Sequence, residues 1–328
     1  MTPRVAWVAL SLVSSLGPRR IRRMVQMLGG VEQIYSRLEE LRGTDLLTSQ
    51  QWKTLQRQRA HEAQIEELLY DWQAQGVTIV TEDDDAYPQN LRGLPDGPGV
   101  LYVLGGLRPE DRQALAVVGT RSPTEAGEKT AYDLGRALAE RGYTVVSGMA
   151  LGVDTLAHLG ALEGGGRTLA VLGSGVLNPS PKENTELAPR IQEQGATLSE
   201  FHPYQTPATA RFMLRNRVQA GLSLGVIVVE ARARGGSHVT ARRCVEYGRH
   251  LFVVRWREGK PEAEGTEILM SELGAIPIES LDALDEALAQ LSEPFVPPAL
   301  PTQRALFEQG KERAGRASDS ERNDGDDP

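Results

Sequence analysis

From residue 114 onward the chain carries short apolar runs at helix-length intervals, each breaking into small, polar or arginine residues. The runs fall at 114–118 (ALAVV), 143–147 (YTVVS), 168–172 (TLAVL), 196–199 (ATLS), 226–230 (VIVVE) and 250–255 (HLFVVR), with a short one at 275–278. Continuous apolar runs of this length are strands buried on both faces, as a parallel sheet demands. Amphipathic segments near 125–141, 152–163, 184–194, 209–221, 236–247 and 265–273 predict the intervening helices, with Gly142, Gly195 and Gly248 where a helix stops and a strand starts. This alternation predicts an α/β fold: an extended Rossmann-like, doubly wound, mostly parallel sheet. Ligands of such sheets sit outside the carboxyl ends of the strands. The sequence delivers to that rim Gly119-Thr120-Arg121, Ser147-Gly148-Met149-Ala150, Gly173-Ser174-Gly175, Ser199-Glu200 and Ala231-Arg232.

Upstream the pattern changes. Segments near 4–15, 18–28, 31–38 and 48–74 lack strand alternation, so residues 1–75 are expected to form a separate small all-helical module of the SAM or helix-hairpin-helix type. Its second helix opens on Pro18-Arg19-Arg20, a helix start with nearby arginines that suits either phosphate binding or plain scaffolding. Residues 76–292 form the Rossmann-like domain, entered through a joint at 76–113 with two short strands. Asp83 to Asp85 in that joint read as a solvated turn, since contiguous acids do not converge on one ion. Residues 293–328 are expected to be a linker and a disordered tail, too short and polar for a winged-helix domain.

A single cysteine, Cys244, excludes an internal disulfide framework and a thiolate metal cluster and fits a reducing cytoplasm. Five histidines without ligand-spaced pairs argue against zinc. The opening apolar stretch is interrupted by Ser11, Ser14 and Ser15 and closes on no A-x-A site, so it does not read as a signal peptide, and nothing elsewhere is expected to span a membrane. The net charge of −8 argues against a polyanionic partner, yet the average conceals a segment, 211–257, with ten arginines against Glu230 and Glu246. A basic patch in an acidic protein is the footprint of local anion binding.

Nucleotide-enzyme signatures are missing. The first strand runs into GTRSPTEAG, which is neither G-x-G-x-x-G nor G-x-x-x-x-G-K-[ST], and Gly173-Ser174-Gly175 alone is a weak phosphate-loop signal. Asp154 and His158, four apart on one helix, read as a hydrogen-bonded helix pair in preference to an acid and a base. The arginines are more informative. Arg211, Arg215 and Arg217, with Asn216, form a multi-pronged group whose planar forks match phosphate oxygens. Gly236-Ser237 opens a helix with exposed amides, with Thr240 one turn on, as a second phosphate seat. Arg121 points toward the same crevice, and Phe201, His202, Tyr204 and Phe212 are candidate stacking surfaces. The competing reading is an internal network with Glu200 and Glu230. If the grip is exposed, alanine at Arg215 and Arg217 weakens oligonucleotide binding and leaves the thermal melt near wild type.

VVGTR, VVSGMALGVDTLAH, GGRTLAVLGSGV, TLSE, FMLRNRVQAGLS, VIVVEA, GSHVTA and YGRHLFVV, in this order, resemble the signature of the DNA-processing protein A (DprA/Smf) family over about residues 87–278. The resemblance implies a non-enzymatic, homodimeric, cytoplasmic protein that binds and protects single-stranded DNA and loads the RecA recombinase during natural transformation. It marks Arg121, Ser147, Gly148, Arg215, Asn216, Arg217, Gly236, Ser237 and Thr240 as DNA-binding residues; Arg211 and Lys182 complete the candidate set. The chain departs from the family pattern at Asn178-Pro179-Ser180-Pro181, at Met213 and at Arg255-Trp256. The alternative from another class is a nucleotide-processing Rossmann enzyme of the phosphoribohydrolase type, whose P-G-G-x-G-T-x-x-E is not in the sequence. No cofactor or metal is expected.

Overall fold

The computed structural model describes residues 1–256 and 263–292; the expected linker and tail at 293–328, and Arg257 of the basic segment, lie outside the described residues. Five helices come first: α1 (Pro3–Ser11), α2 (Pro18–Leu28), α3 (Val31–Ser36), α4 (Ser49–Ala60) and α5 (Glu62–Ala74). Strands β1 (Thr78–Thr81) and β2 (Val100–Gly105) follow, then β3 (Ala114–Val118), α6 (Glu125–Glu140), β4 (Thr144–Ser147), α7 (Val153–Glu163), β5 (Thr168–Val171), α8 (Leu187–Gln194) and β6 (Ala196–Ser199). The chain continues through α9 (Thr209–Leu222), β7 (Gly225–Val228), α10 (Gly236–Glu246), β8 (His250–Val254), α11 (Glu264–Leu273), β9 (Ile276–Ile278) and α12 (Leu284–Ala289). Local chemistry sets several starts: Thr48 and Gln51 form a capping box on α4, and the Thr124 hydroxyl accepts from the Gly127 amide at the head of α6.

One nine-stranded sheet runs β1-β2-β6-β5-β4-β3-β7-β8-β9. β1 and β2 pair antiparallel, β2 pairs antiparallel with β6, and the rest is parallel. The chain winds outward from β3 to β6 on one side and from β7 to β9 on the other, so the order reverses between β3 and β7. That reversal opens a crevice beyond the strand ends Val118 and Val228, which lie in register.

Alternation divides the strand residues between two faces. Leu115, Val117, Ile227 and Phe252 pack with α6, α7 and α12, whereas Ala116, Val118, Val226 and Val253 pack with α9, α10 and α11. α6 and α7 approach closely because Gly135 and Gly160 face each other's backbones; a Cβ at Gly160 would lie 2.0 Å from the Tyr132 carbonyl oxygen. Of the three glycines expected at helix ends, Gly142 and Gly248 adopt positive φ. Gly195 does not, at φ −156°; there a Cβ would lie 1.9 Å from the Thr168 carbonyl oxygen, so proximity is the constraint.

The helical segment does not stand apart as expected. α1 to α5 share one hydrophobic cluster with β2 and α8, including Trp7, Tyr102 and Ile191. Trp72 meets Tyr102 edge to face at 5.4 Å, and Ser11 hydrogen-bonds the Tyr102 hydroxyl at 2.9 Å. The acidic turn is tied in here: Asp83 accepts from the Trp7 indole at 2.6 Å, and Asp84 accepts from the Thr81 amide and from Arg4. Among the described residues no group of acids, histidines and cysteines is placed to hold a metal, and no helix is long and apolar enough to cross a membrane.

Candidate nucleic-acid interface

A cleft of about 400 Å³ opens at the β3/β7 switch point. The loop after β3 supplies Thr120 and Arg121, α9 supplies Phe212, Arg215 and Asn216, and the loop after β7 supplies Arg232 and Arg234 before the first turn of α10. Among the described residues four guanidiniums therefore face the cleft, against the one carboxylate of Asp154. Among the described residues none of the four has an ionic partner. Arg121, Arg232 and Arg234 are exposed.

Arg215 is different, being only 4% exposed. It donates to the Val171 carbonyl at 2.5 Å and lies against Gly148, where a Cβ would come within 1.8 Å of Nη1. Burial, then the like charge of Arg121, lowers its pKa to about 10 against the attraction of Asp154, so it stays protonated near neutrality. Among the described residues its Nε has no hydrogen-bond partner, nor does Nε2 of the buried Gln219 beside it in the cleft lining. Unmet buried donors at the bottom of a cationic cleft suit an acceptor-only ligand such as phosphate.

The mouth of α10 adds amides. Gly235 caps it without a side-chain hydrogen bond, and Gly236 and Ser237 start the helix at the cleft wall. Asn216 donates to the Gly236 carbonyl at 3.1 Å, tying α9 to this turn, and Thr240 is buried in the wall behind it.

The structure thus gathers Arg121, Arg215, Asn216, Gly236, Ser237 and Thr240 of the expected set and separates the rest. The Ser147 hydroxyl is fully buried and donates to the Val117 carbonyl at 2.7 Å, so it faces no ligand. Gly148 shapes the seat of Arg215, and its amide is used by Asp154 at 3.1 Å. Lys182 is exposed on a one-turn helix outside the cleft. The expected three-pronged grip does not form. Arg217 is buried in an ion pair with Glu200, and Arg211 lies over the Phe201 ring at 6.0 Å; both face another cleft. Half of the competing arginine–carboxylate network exists: Arg217 pairs with Glu200, while Glu230 accepts instead from the Thr124 amide and hydroxyl at 3.0 Å. Of the aromatics, Phe212 lines the arginine cleft, beneath Arg121 at 5.7 Å. At the α2 start, Arg19 pairs with Asp96 and Arg20 donates to the Ser15 carbonyl and Gln51. Arg232 and Arg234 join the cleft from outside the expected set; their signal in the sequence is Arg-Ala-Arg between a strand end and the Gly-Gly of a helix start.

Asp154 and His158 are not bonded to each other. Asp154 accepts from the Gly148 and Ala150 amides, and burial pushes its pKa up. His158 bonds Thr168 Oγ1 through Nδ1 at 2.6 Å, and burial, reinforced by Arg215, lowers its pKa to about 3. The folded value lies below the ordinary 6.5, so as pH falls through that value the unfolded chain takes up the proton first and stability is lost. Denaturant melts are expected to show the advantage of wild type over His158→Gln narrowing below about pH 6.5, by up to about 1.4 kcal/mol per pH unit.

The sequence profile described as DNA recombination-mediator protein A matches residues 78–289. Protein Smf of Escherichia coli is 34% identical over 283 residues, covering 86% of this chain and 74% of that protein. Protein Smf of Synechocystis is 33% identical over 291 residues, covering 83% and 73%. The X-ray structure of DNA processing protein A from Streptococcus pneumoniae superposes with a TM-score of 0.74 at 30% identity, covering 87% of this chain and 98% of that one. A structure of DNA processing protein A from Helicobacter pylori, described for its single-stranded DNA binding mode, gives a TM-score of 0.58 at 30% identity, covering 65% and 96%.

Proposed function

Since this chain belongs to the DNA recombination-mediator protein A (DprA/Smf) family, we propose that it binds single-stranded DNA in the cleft between β3 and β7. The observation that carries the reading is the set of four guanidiniums facing one carboxylate at the switch point. Arg121, Arg232 and Arg234 neutralise successive phosphates, Arg215 and the amides of Gly236 and Ser237 seat one at the bottom, and Asn216 and Thr240 hold that turn in place. Phe212 and the Arg121 guanidinium offer faces to a base. The chain acts as a binder and not as a catalyst: Asp154 is engaged by backbone amides and His158 is buried and neutral near pH 7.

Further steps of the reading come from the family resemblance. The protein protects incoming single strands, hands them to RecA in transformation and recombination, and works as a cytoplasmic homodimer. Residues 1–75 are its helical segment, sharing a core with β2 and α8, and 76–292 its Rossmann-like part with the DNA cleft.

Fluorescence anisotropy of a labelled single-stranded oligonucleotide across a salt series, with duplex and mononucleotide competitors, tests the binding. Arg121→Ala is expected to weaken binding about fivefold and to reduce the slope of log K against log salt by about 0.7. Binding of mononucleotide in place of the strand would overturn the reading in favour of a nucleotide-processing site.

A further inference from the structure

A second cleft, of about 550 Å³, lies on the other side of α9 from the arginine cleft. One helix walls both. Phe212, Met213 and Asn216 face the first cleft, and Arg211, Leu214 and Arg217 face the second. Adjacent residues on a helix point about 100° apart, so the two mouths meet across the crest of α9. Met213 and Leu214 form that crest and are 43% and 52% exposed.

The two clefts differ in chemistry. The first is rich in unpaired guanidiniums. The second is lined by apolar groups, among them Leu12, Leu16, Ile21 and Phe201, and its buried Arg217 is already paired with Glu200. Each nevertheless opens on the same device, an arginine over a phenyl ring: Arg121 over Phe212 at 5.7 Å and Arg211 over Phe201 at 6.0 Å. Such a pair sets a fork for a phosphate beside a face for a base. Glu200 also keeps Oε1 buried and, among the described residues, without a hydrogen-bond partner, an acceptor that the amino group of a base would satisfy. The opposite wall belongs to the helical segment, from Ser11 to Pro18.

Resting on the reading of the first cleft, we propose that the bound strand crosses α9 at Met213 and Leu214 and places bases in the second cleft, so that the α1–α2 loop is part of the DNA site. A single strand needs apolar faces for its bases as well as cations for its phosphates, and the adjoining cleft supplies what the arginine cleft lacks. This gives the helical segment a direct part in binding, beyond its packing on β2.

The test compares strands of about four and about sixteen nucleotides on the full chain by anisotropy. Leu214→Asp and Arg211→Ala, both at the surface, are expected to weaken the long strand about fivefold or more and to leave the short strand and the thermal melt unchanged. A long strand carrying photoreactive thymine analogues is expected to cross-link within residues 11–18. Wild-type affinity for the long strand in both variants, or cross-links confined to the first cleft, would overturn the crossing and leave the first cleft standing. Failure of the wild type to bind either strand would instead overturn the reading on which the crossing rests.

Discussion

Alanine at both Arg232 and Arg234 is expected to weaken single-stranded DNA binding about 30-fold at low salt, without touching a buried group. Both side chains are exposed at the cleft and have no ionic partner among the described residues, so their removal leaves no orphaned charge. A solvent-screened contact to phosphate contributes about 1 kcal/mol, and two of them correspond to about 30-fold. Each contact neutralises one phosphate, so the double substitution lowers the slope of log K against log salt by about 1.4, and the difference from wild type shrinks as salt rises. An unchanged slope would mean that these arginines do not touch the strand. The thermal melt is expected to stay within a few tenths of a kcal/mol of wild type, as for ordinary surface substitutions.

The position of this cleft was legible from patterning. The central strands are apolar on both faces, so their runs stand out against any helix period, and the observed β3 and β6 coincide with the expected 114–118 and 196–199. The strand ends then fixed which loops share a rim, and the structure places Gly119 to Arg121 and Arg232 to Gly236 together at the switch point. Directions of side chains were not legible in the same way. Arg215 and Arg217 are two apart on α9 and so point to nearly opposite sides, which breaks the grip that proximity in sequence suggested. Arg211 and Arg215 share a face, yet Arg211 turns to the Thr206 carbonyl and Phe201 while Arg215 reaches Val171. No periodicity reveals this, because α9 is walled by a cleft on each side. Asp154 and His158 mislead likewise: each finds its partner in a neighbouring strand or turn, not one helical turn away.

The same geometry reverses the expectation for Arg217. Arg217→Ala is now expected to lower stability by about 3 kcal/mol, because it would strand Glu200 as an uncompensated buried carboxylate. The ion pair joins α9 to the end of β6, with side chains 7% and 14% exposed. Burial already pushes the Glu200 pKa up, and Arg217, through its charge and its hydrogen bond, is what holds it down. Without Arg217 the carboxyl is expected to take up a proton at a pH where the unfolded chain has already released it, so the variant loses further stability as pH rises above the ordinary carboxylate range. For a chain of 328 residues the loss corresponds to about 4–5 °C in Tm. Adding Glu200→Gln to Arg217→Ala removes both charges together and is expected to recover much of the loss, since the cost of a broken buried pair lies mainly in the charge left behind. Thermal melts of the wild type, the single variant and the double variant decide the matter: an unchanged melt in Arg217→Ala would mean that the pair is dispensable and that Arg217 is free to turn toward a ligand.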